Sequence, residues 1–459
     1  MKLKRFYLPL IGILLTGTLK SQSDSTMSFS LSEAQNYAVE NYYVSENAKL
    51  DITAAKKRVW ETTAIGLPHV SGELNYQHVP GDIPELSFGM DSLFGWVFGA
   101  FDRLGETPPD ELINAMQGTA SPIAQRNNTT YNILVTQLIF SGEYIVGLRA
   151  ARAYKTLSVE TNEKIELEIK QAVANGYFAL LNLKETRNIV EKSLNNTRTI
   201  ENNTRKYYNA GLLGETDADQ ITLMRKSLES QLNSLEKQLL YLDKLFKYSI
   251  GLDANSEIEL TDDIETLIGN SIVSDSSYVF LLENNVDYRL LINQENLMKL
   301  AMDREKSKYL PTVSGFYRYS DQTNAPALDF TINHVLGVTI SVPIFESGSK
   351  MMKVQQARID YIKAQNQKEQ ESQKLIADAN QAQYDYESAL ENYYVEKESF
   401  ELSEKILNKT QEKFNNGMTS SIDLTTINNQ YLQAQLDYSI AVQELLNAKV
   451  KLDKIYNQL

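Results

Sequence analysis

The sequence predicts an α+β chain, mainly α, written twice over, with two pairs of amphipathic strands set between long helices. Three observations carry that prediction. Apart from Pro9, the ten prolines fall between Pro68 and Pro122 or between Pro311 and Pro343, so 188 consecutive residues (123–310) and the last 116 hold none. Proline breaks interior helical hydrogen bonds, and these proline-free tracts are rich in Glu, Lys, Gln, Leu and Ala, which favour helix. Second, Gly417 follows Gly211 and Asp423 follows Asp217 by the same 206 residues, an offset that also lays Gly142 on Gly348 and Ala151-Arg152 on Ala357-Arg358. Third, the proline-bearing windows switch to a period of two, the mark of half-buried strands.

Each element follows from its residues in order. Lys2, Lys4 and Arg5 precede an apolar run from Phe6 to Leu19, and polar Lys20-Ser21-Gln22 follows. That is the layout of a cleaved signal peptide over 1–21 rather than a spanning helix, so export is expected. Cleavage there removes four of 45 basic residues and none of 59 acidic ones, leaving 41 against 59 and a net charge of −18. Such an acidic chain is not expected to bind nucleic acid. The absence of cysteine excludes a disulfide scaffold, cysteine catalysis, thiolate metal sites and an N-terminal lipid anchor on cysteine. No later stretch of 18 apolar residues offers a membrane helix, so any membrane contact falls to strands.

The first repeat, residues 22–250, opens on Ser30-Leu31-Ser32-Glu33, a capping-box pattern starting a helix that is expected to run toward Ala64. Val70, Gly72, Leu74 and Tyr76 then alternate with Ser71, Glu73, Asn75 and Gln77, and the returning strand is expected over Thr129 to Phe140. Between them lies a long loop, 80–128, holding Phe88, Leu93, Phe94, Trp96, Val97, Phe98 and Phe101, with Pro108-Pro109-Asp110 opening a short helical stretch. That apolar cluster either covers the outer mouth or packs as ordinary loop core. Leu67-Pro68 recurs as Leu310-Pro311 at an offset of 243, and the 37-residue excess over 206 is an insertion in this first loop.

From Glu143 to Tyr208 the helical pattern runs for 66 residues, roughly 100 Å at 1.5 Å per residue. It ends at a tip, 206–217, and returns through Leu228, Leu232, Leu235, Leu239, Leu242 and Phe246, a 4,3,4,3 coiled-coil seam. Residues 251–280, rich in Asp and Glu, read as a linker. The second repeat, 281–459, repeats the plan with a hairpin over 311–345, whose returning strand is expected over Ile332 to Phe345, and a tip over 413–423. Its seam runs through Ala434, Tyr438, Ala441, Leu445, Ala448 and Leu452. Gly211 and Gly417 suit the left-handed turn that ends a helix, and Asp217 and Asp423 suit a cap for the next.

Strands of about ten residues, aromatic-rich and half polar, fit an outer-membrane barrel or a soluble sheet covering a core. Rods of roughly 100 Å exceed any compact core and favour the barrel. One chain supplies four strands, too few to close. Two chains give eight strands filled by side chains; three give twelve, wide enough for a pore.

The chain resembles the TolC-family outer-membrane efflux proteins. The matching residues are Leu31-Ser32-Glu33-Ala34, Leu67-Pro68 and Leu310-Pro311, Val342-Pro343-Ile344-Phe345 with Gly348, and the two Gly-to-Asp tips. The resemblance implies a homotrimer with a twelve-stranded barrel in outer-membrane lipid and a coiled-coil α-barrel in the periplasm. Its tips would meet a periplasmic adaptor (membrane fusion) protein coupled to an inner-membrane pump, and the chain would be a passive duct. The residues 251–280 become an equatorial belt. Asp423 matches an aspartate of the family's periplasmic aperture, where three copies form a carboxylate ring. Thr426, Thr419 and Phe414 stand where the best-known member has aspartate, arginine and tyrosine, so a weaker or more apolar latch is expected. Asp217, like Asp423, has helix capping as its plain alternative, and the roles coexist. Gly211, Leu212, Leu213, Gly417 and Met418 are the candidate adaptor contacts.

No catalytic reading competes. The three histidines, His69, His78 and His334, lie in or beside predicted strands without metal-ligand spacing, and no phosphate loop or nucleophile elbow occurs. No cofactor is implied. The rival from another class is a periplasmic coiled-coil adaptor or scaffold, which would carry one hairpin flanked by soluble β domains rather than two hairpins joined by paired amphipathic strands.

Overall fold

The computed structural model describes residues 27–81, 127–272, 279–323 and 332–459, with short pieces of the first loop at 85–86, 95, 99–105, 107 and 121–122. The proposed signal peptide, the loop cluster from Phe88 to Phe98 and Pro108-Pro109-Asp110 lie outside them, except Gly95. The elements are β1 (Met27–Phe29), α1 (Leu31–Asn41), α2 (Tyr43–Ala64), β2 (His69–His78), β3 (Glu85–Leu86), β4 (Ser121–Pro122), β5 (Asn127–Ser141), α3 (Gly142–Asn209) and α4 (Glu215–Ile250). Then follow β6 (Ile258–Leu260), α5 (Ile264–Ile272), α6 (Val286–Ser307), β7 (Thr312–Thr323), β8 (His334–Ser341), α7 (Ser349–Asn415) and α8 (Ser421–Ile455). Two compact units result, one of residues 27–47, 164–281 and 376–459, the other of 48–163 and 282–375.

The first unit is helical and built on the predicted seams. Leu228, Leu235 and Phe246 are buried from α4, and Ala441, Leu445 and Leu452 from α8. Phe246, Leu445 and Leu452 join Val173, Tyr177 and Leu180 of α3 in one cluster, where apolar side chains at alternating spacings of three and four interlock, and Leu228 and Leu235 join Val190 and Leu194 of α3 in another. Two buried polar side chains inside this unit, Asn182 and Tyr177, are paired across elements, which favours one register. The Asn182 amide donates to the Ser439 carbonyl at 2.7 Å while the Ser439 hydroxyl donates to Asn182 Oδ1 at 3.0 Å. Tyr177 donates to the Phe29 carbonyl at 2.9 Å and accepts from the Asp262 amide at 3.2 Å.

Those two bonds explain a correction. Residues 251–280 are more than an acidic linker: β6 pairs in parallel with β1, Met27 opposite Ile258, and α5 buries Ile268 in the core. Its acidic residues hid a short apolar register, Ile258, Leu260, Ile264 and Ile268, that a partner strand from the far N-terminal side completes. A second correction concerns the first helix. Its capping box forms as expected, Ser30 with Glu33, but the helix breaks at Tyr42, whose φ of −74° and ψ of 131° are extended. The Tyr42 ring there meets Tyr248 edge-on at 6.0 Å, a contact absent from any local sequence pattern.

The second unit holds a four-stranded antiparallel sheet in the order β2-β5-β7-β8, beside the short β3-β4 pair. Its register places Leu74 opposite Tyr131, Val70 opposite Val135, Val135 opposite Tyr317 and Tyr317 opposite Leu336. Alternation then gathers Val70, Leu74, Leu336, Val338 and Ile340 on one face, where they are 62 to 84% exposed. The other face carries Ser71, Glu73, Asn132, Ser314, Arg318, Ser320 and Thr339. Sheet pleating alone sorts these residues, because every register step preserves side. A bulge between Leu138 and Phe140 bends β5 near its helical end. The last strand is shorter than expected, stopping at Ser341, because Pro343 cannot donate to a ladder.

Candidate functional site: the paired helical tips

The two tips fold alike because their residues repeat. In α3 the Leu212 amide bonds to the Tyr207 carbonyl at 2.9 Å and the Gly211 amide to the Tyr208 carbonyl at 2.8 Å. After α7 the Met418 amide reaches Lys413 at 2.8 Å and the Gly417 amide reaches Phe414 at 3.0 Å. Both are Schellman closures, and both need a left-handed residue, supplied by Gly211 at φ 75° and Gly417 at φ 71°. Leu212 and Met418 thereby stand outward, 72% and 69% exposed, while Leu213 is half-buried.

The aspartates are not the caps. Ser420 caps α8, and Asp423 sits at the third helical position, completing a capping box. One oxygen of Asp423, Oδ2, accepts from the Ser420 hydroxyl at 2.7 Å, the Thr419 hydroxyl at 3.1 Å and the Ser420 amide at 3.3 Å. Hydrogen bonds from the Ser420 side chain, its backbone and Thr419 hold the carboxyl below the usual carboxylate range. Thr426 turns inward on its own helix, donating to the Ile422 carbonyl at 2.9 Å.

The first copy departs where it matters. Its cap is Gly214, without a side chain to bond, so Asp217 at the matching third position has no local hydroxyl partner. The carboxylate accepts instead from Ser421 of the other tip. Ser421 is 1% exposed and also lies 2.8 Å from Gln220 Oε1. Sequence reasoning missed Ser421, which reads as one more hydroxyl at a helix start; its role is set by the packing of two distant turns. Phe414 packs beside the apolar cluster of Ile200, Ile221, Leu407, Leu424 and Tyr431. Asp217, Ser421 and Phe414 therefore converge between the tips, whereas Asp423, Gly417 and Met418 face outward.

Arg225 strengthens the first hairpin, 2.7 Å from Glu201 and 2.5 Å from Glu229. Hydrogen bonds from Arg198 and Arg225 lower the Glu229 carboxyl. No group of His, Cys, Asp and Glu arranged to hold a metal occurs among the described residues.

Residues 283–458 match the family model described as outer membrane efflux protein. Among curated protein sequences none matches the chain. Solved structures do. The outer membrane protein VceC of Vibrio cholerae is 13% identical over 93% of this chain and 95% of its own, with a TM-score of 0.68. The CmeC outer membrane channel of Campylobacter jejuni is 15% identical over 93% and 85%, with a TM-score of 0.70. The open-state MtrE outer membrane channel of Neisseria gonorrhoeae is 13% identical over 93% and 88%, at 0.66. The chain has the fold of these outer-membrane channels, and its residues 283–458 match the outer membrane efflux protein family model.

Proposed function

We propose that three copies of this chain form the passive outer-membrane exit duct of a tripartite efflux pump or type I secretion system in a Gram-negative cell. The observation that carries this reading is the sheet. One face is apolar and exposed, the other is mainly polar with Leu134, Phe316 and Val335 among its polar side chains, and both edge strands, β2 and β8, are bonded on one side only within a chain. Such a sheet leaves edges that lipid does not tolerate, and pairing β8 of one copy with β2 of the next closes twelve strands without any edge. The polar face then lines the passage. A periplasmic adaptor and an inner-membrane pump supply the cargo and the energy, the adaptor meeting Leu212, Met418 and the two tip glycines. An adaptor role for the chain itself is disfavoured by the family match of residues 283–458. The family's members are ducts, not enzymes.

The test is fractionation followed by planar-bilayer recording of the full-length protein. Extraction with the outer membrane as a trimer that conducts supports the duct; release by osmotic shock as a soluble monomer refutes it.

The tips act in this reading as the closed end. Ser421→Ala leaves the half-buried Asp217 carboxylate without the donor it has in Ser421, a loss of about 1.5–3 kcal/mol for a hydrogen bond to a charge. Opening of the tips should then rise by about tenfold or more, read as the open fraction in single-channel records. An unchanged open fraction removes Ser421 from the closure.

Asp423 supplies the ring of charge at the aperture. Its carboxyl is lowered, so it stays ionised above its folded pKa, and the bonding it gives α8 is lost only as pH falls through that depressed value. Cation preference, measured as reversal potential across a salt gradient, should persist below the ordinary value of 3.8. Ser420→Ala should bring its loss up toward that value, and Asp423→Asn should lack it at every pH.

A further inference from the structure

We infer that a cleft at the junction of sheet and helices binds an amphipathic organic anion in transit, an inference that rests on the duct reading above. The cleft lies among α2, the end of β5, the start of α3 and α6, and holds about 570 Å³. That is the scale of a small-molecule site. Ile65, Leu138, Tyr144 and Leu297 give it an apolar wall. Small residues on α3, Gly147, Ala150 and Ala151, leave its floor open, and beyond its own stretch of helix nothing lies within 4 Å of a Cβ built on Gly147.

Charge selects the occupant. Arg304 is taken by Glu143, whose Oε1 lies 2.9 Å from Nε and 2.5 Å from Nη2. Arg58 lies over the ring of Tyr154, 5.3 Å from its centroid, and meets no carboxylate among the described residues. The cleft thus holds one unspent positive charge, in a chain whose formal net charge is −14. A guanidinium stacked on an aromatic ring beside an apolar wall suits a molecule with an apolar body and an anionic head.

The duplication supplies an internal control. At the offset of 243, Arg58, Thr62 and Ile65 correspond to Ala301, Glu305 and Lys308. At 206, Tyr144, Gly147, Ala150 and Tyr154 correspond to Lys350, Lys353, Gln356 and Asp360. The second copy builds the same helices without the open floor or the stacked arginine; there the Lys350 ammonium lies over the Tyr309 ring, 5.9 Å from its centroid. The scaffold therefore does not require them.

The side on which the cleft opens identifies the source of its ligand. Leu138 stands opposite Ser314 and Ser141 opposite Thr312, on the polar face of the sheet. That face is turned away from lipid, so the ligand arrives through the passage and not from the bilayer.

The experiment uses the full-length trimer in lipid nanodiscs and two probes with one body, naphthalene-2-sulfonate and a naphthyl trimethylammonium, measured by equilibrium dialysis. The sulfonate should bind at least tenfold more tightly than the cation. Arg58→Gln should weaken it about tenfold, and Gly147→Leu, which fills the floor, should remove it. Both variants should keep wild-type single-channel conductance. Equal binding of the two probes, or wild-type sulfonate affinity in both variants, overturns the inference. So does a cross-link from Arg58→Cys showing the cleft filled by a second copy of the chain. Failure of the duct reading looks different: the wild type itself would not conduct, whatever the probes do.

Discussion

Val338→Arg should prevent assembly of the outer-membrane trimer, whereas the same substitution one residue on, Thr339→Arg, should be accepted. Val338 is 62% exposed at the middle of β8, on the face it shares with Leu336 and Ile340. Thr339 points the other way, opposite Ser314. In the proposed barrel the first side chain meets hydrocarbon and the second meets water. An arginine at the bilayer midplane of a barrel costs about 2–4 kcal/mol, and the cost recurs in each of three copies. Total stabilities of folded proteins are about 5–15 kcal/mol, so a threefold penalty of this size is decisive. The measurement is the yield of detergent-resistant trimer in the outer membrane. Equal yields for the two variants would show that neither face meets lipid, and the reverse order would show that the faces have been assigned backwards.

The two faces were legible from the sequence because a strand's period of two needs no partner to be read. Val70, Leu74 and Tyr76 alternate with Glu73, Asn75 and Gln77 whatever lies beside them. The same holds for the seams and for the tip glycines, whose turn chemistry is complete within six residues. What the sequence hid was non-local. The break at Tyr42 sets its ring against Tyr248, more than two hundred residues on. The parallel pairing of β1 with β6 follows from the fold bringing Met27 to Ile258. At the tips, Asp217 and Asp423 occupy equivalent positions and read alike, yet one is satisfied at home and the other by Ser421 of the opposite turn. Only the replacement of Ser420 by Gly214 in the first copy hinted at that divergence.

Gly251→Val should destabilise the helical unit far more than Gly417→Val, although both glycines follow a long helix in the left-handed region, at φ 82° and 71°. Each closes its helix in the same way, the Leu252 amide reaching the Lys247 carbonyl at 2.8 Å as Met418 reaches Lys413. The torsional cost is therefore shared, about 1–2 kcal/mol for a side chain forced into this region, and somewhat more for a branched one. The surroundings differ. A Cβ at Gly417 meets nothing within 4 Å, whereas at Gly251 it falls 2.7 Å from the Asn41 carbonyl oxygen and 3.1 Å from the Tyr42 Cα. Those are backbone atoms of the break between α1 and α2, so no flexible side chain can yield, and the break itself must shift. Displacing it pulls Tyr42 from Tyr248 and strains the adjoining end of α1, whose Ala34 and Ala38 are fully buried. A total near 3 kcal/mol or more is expected, the range of strained backbone combined with core disruption. Thermal midpoints of the two purified variants, followed by helical circular dichroism, should show a fall for Gly251→Val at least twice that for Gly417→Val. Equal falls would mean that torsion alone sets the cost and that α1 does not close on this glycine.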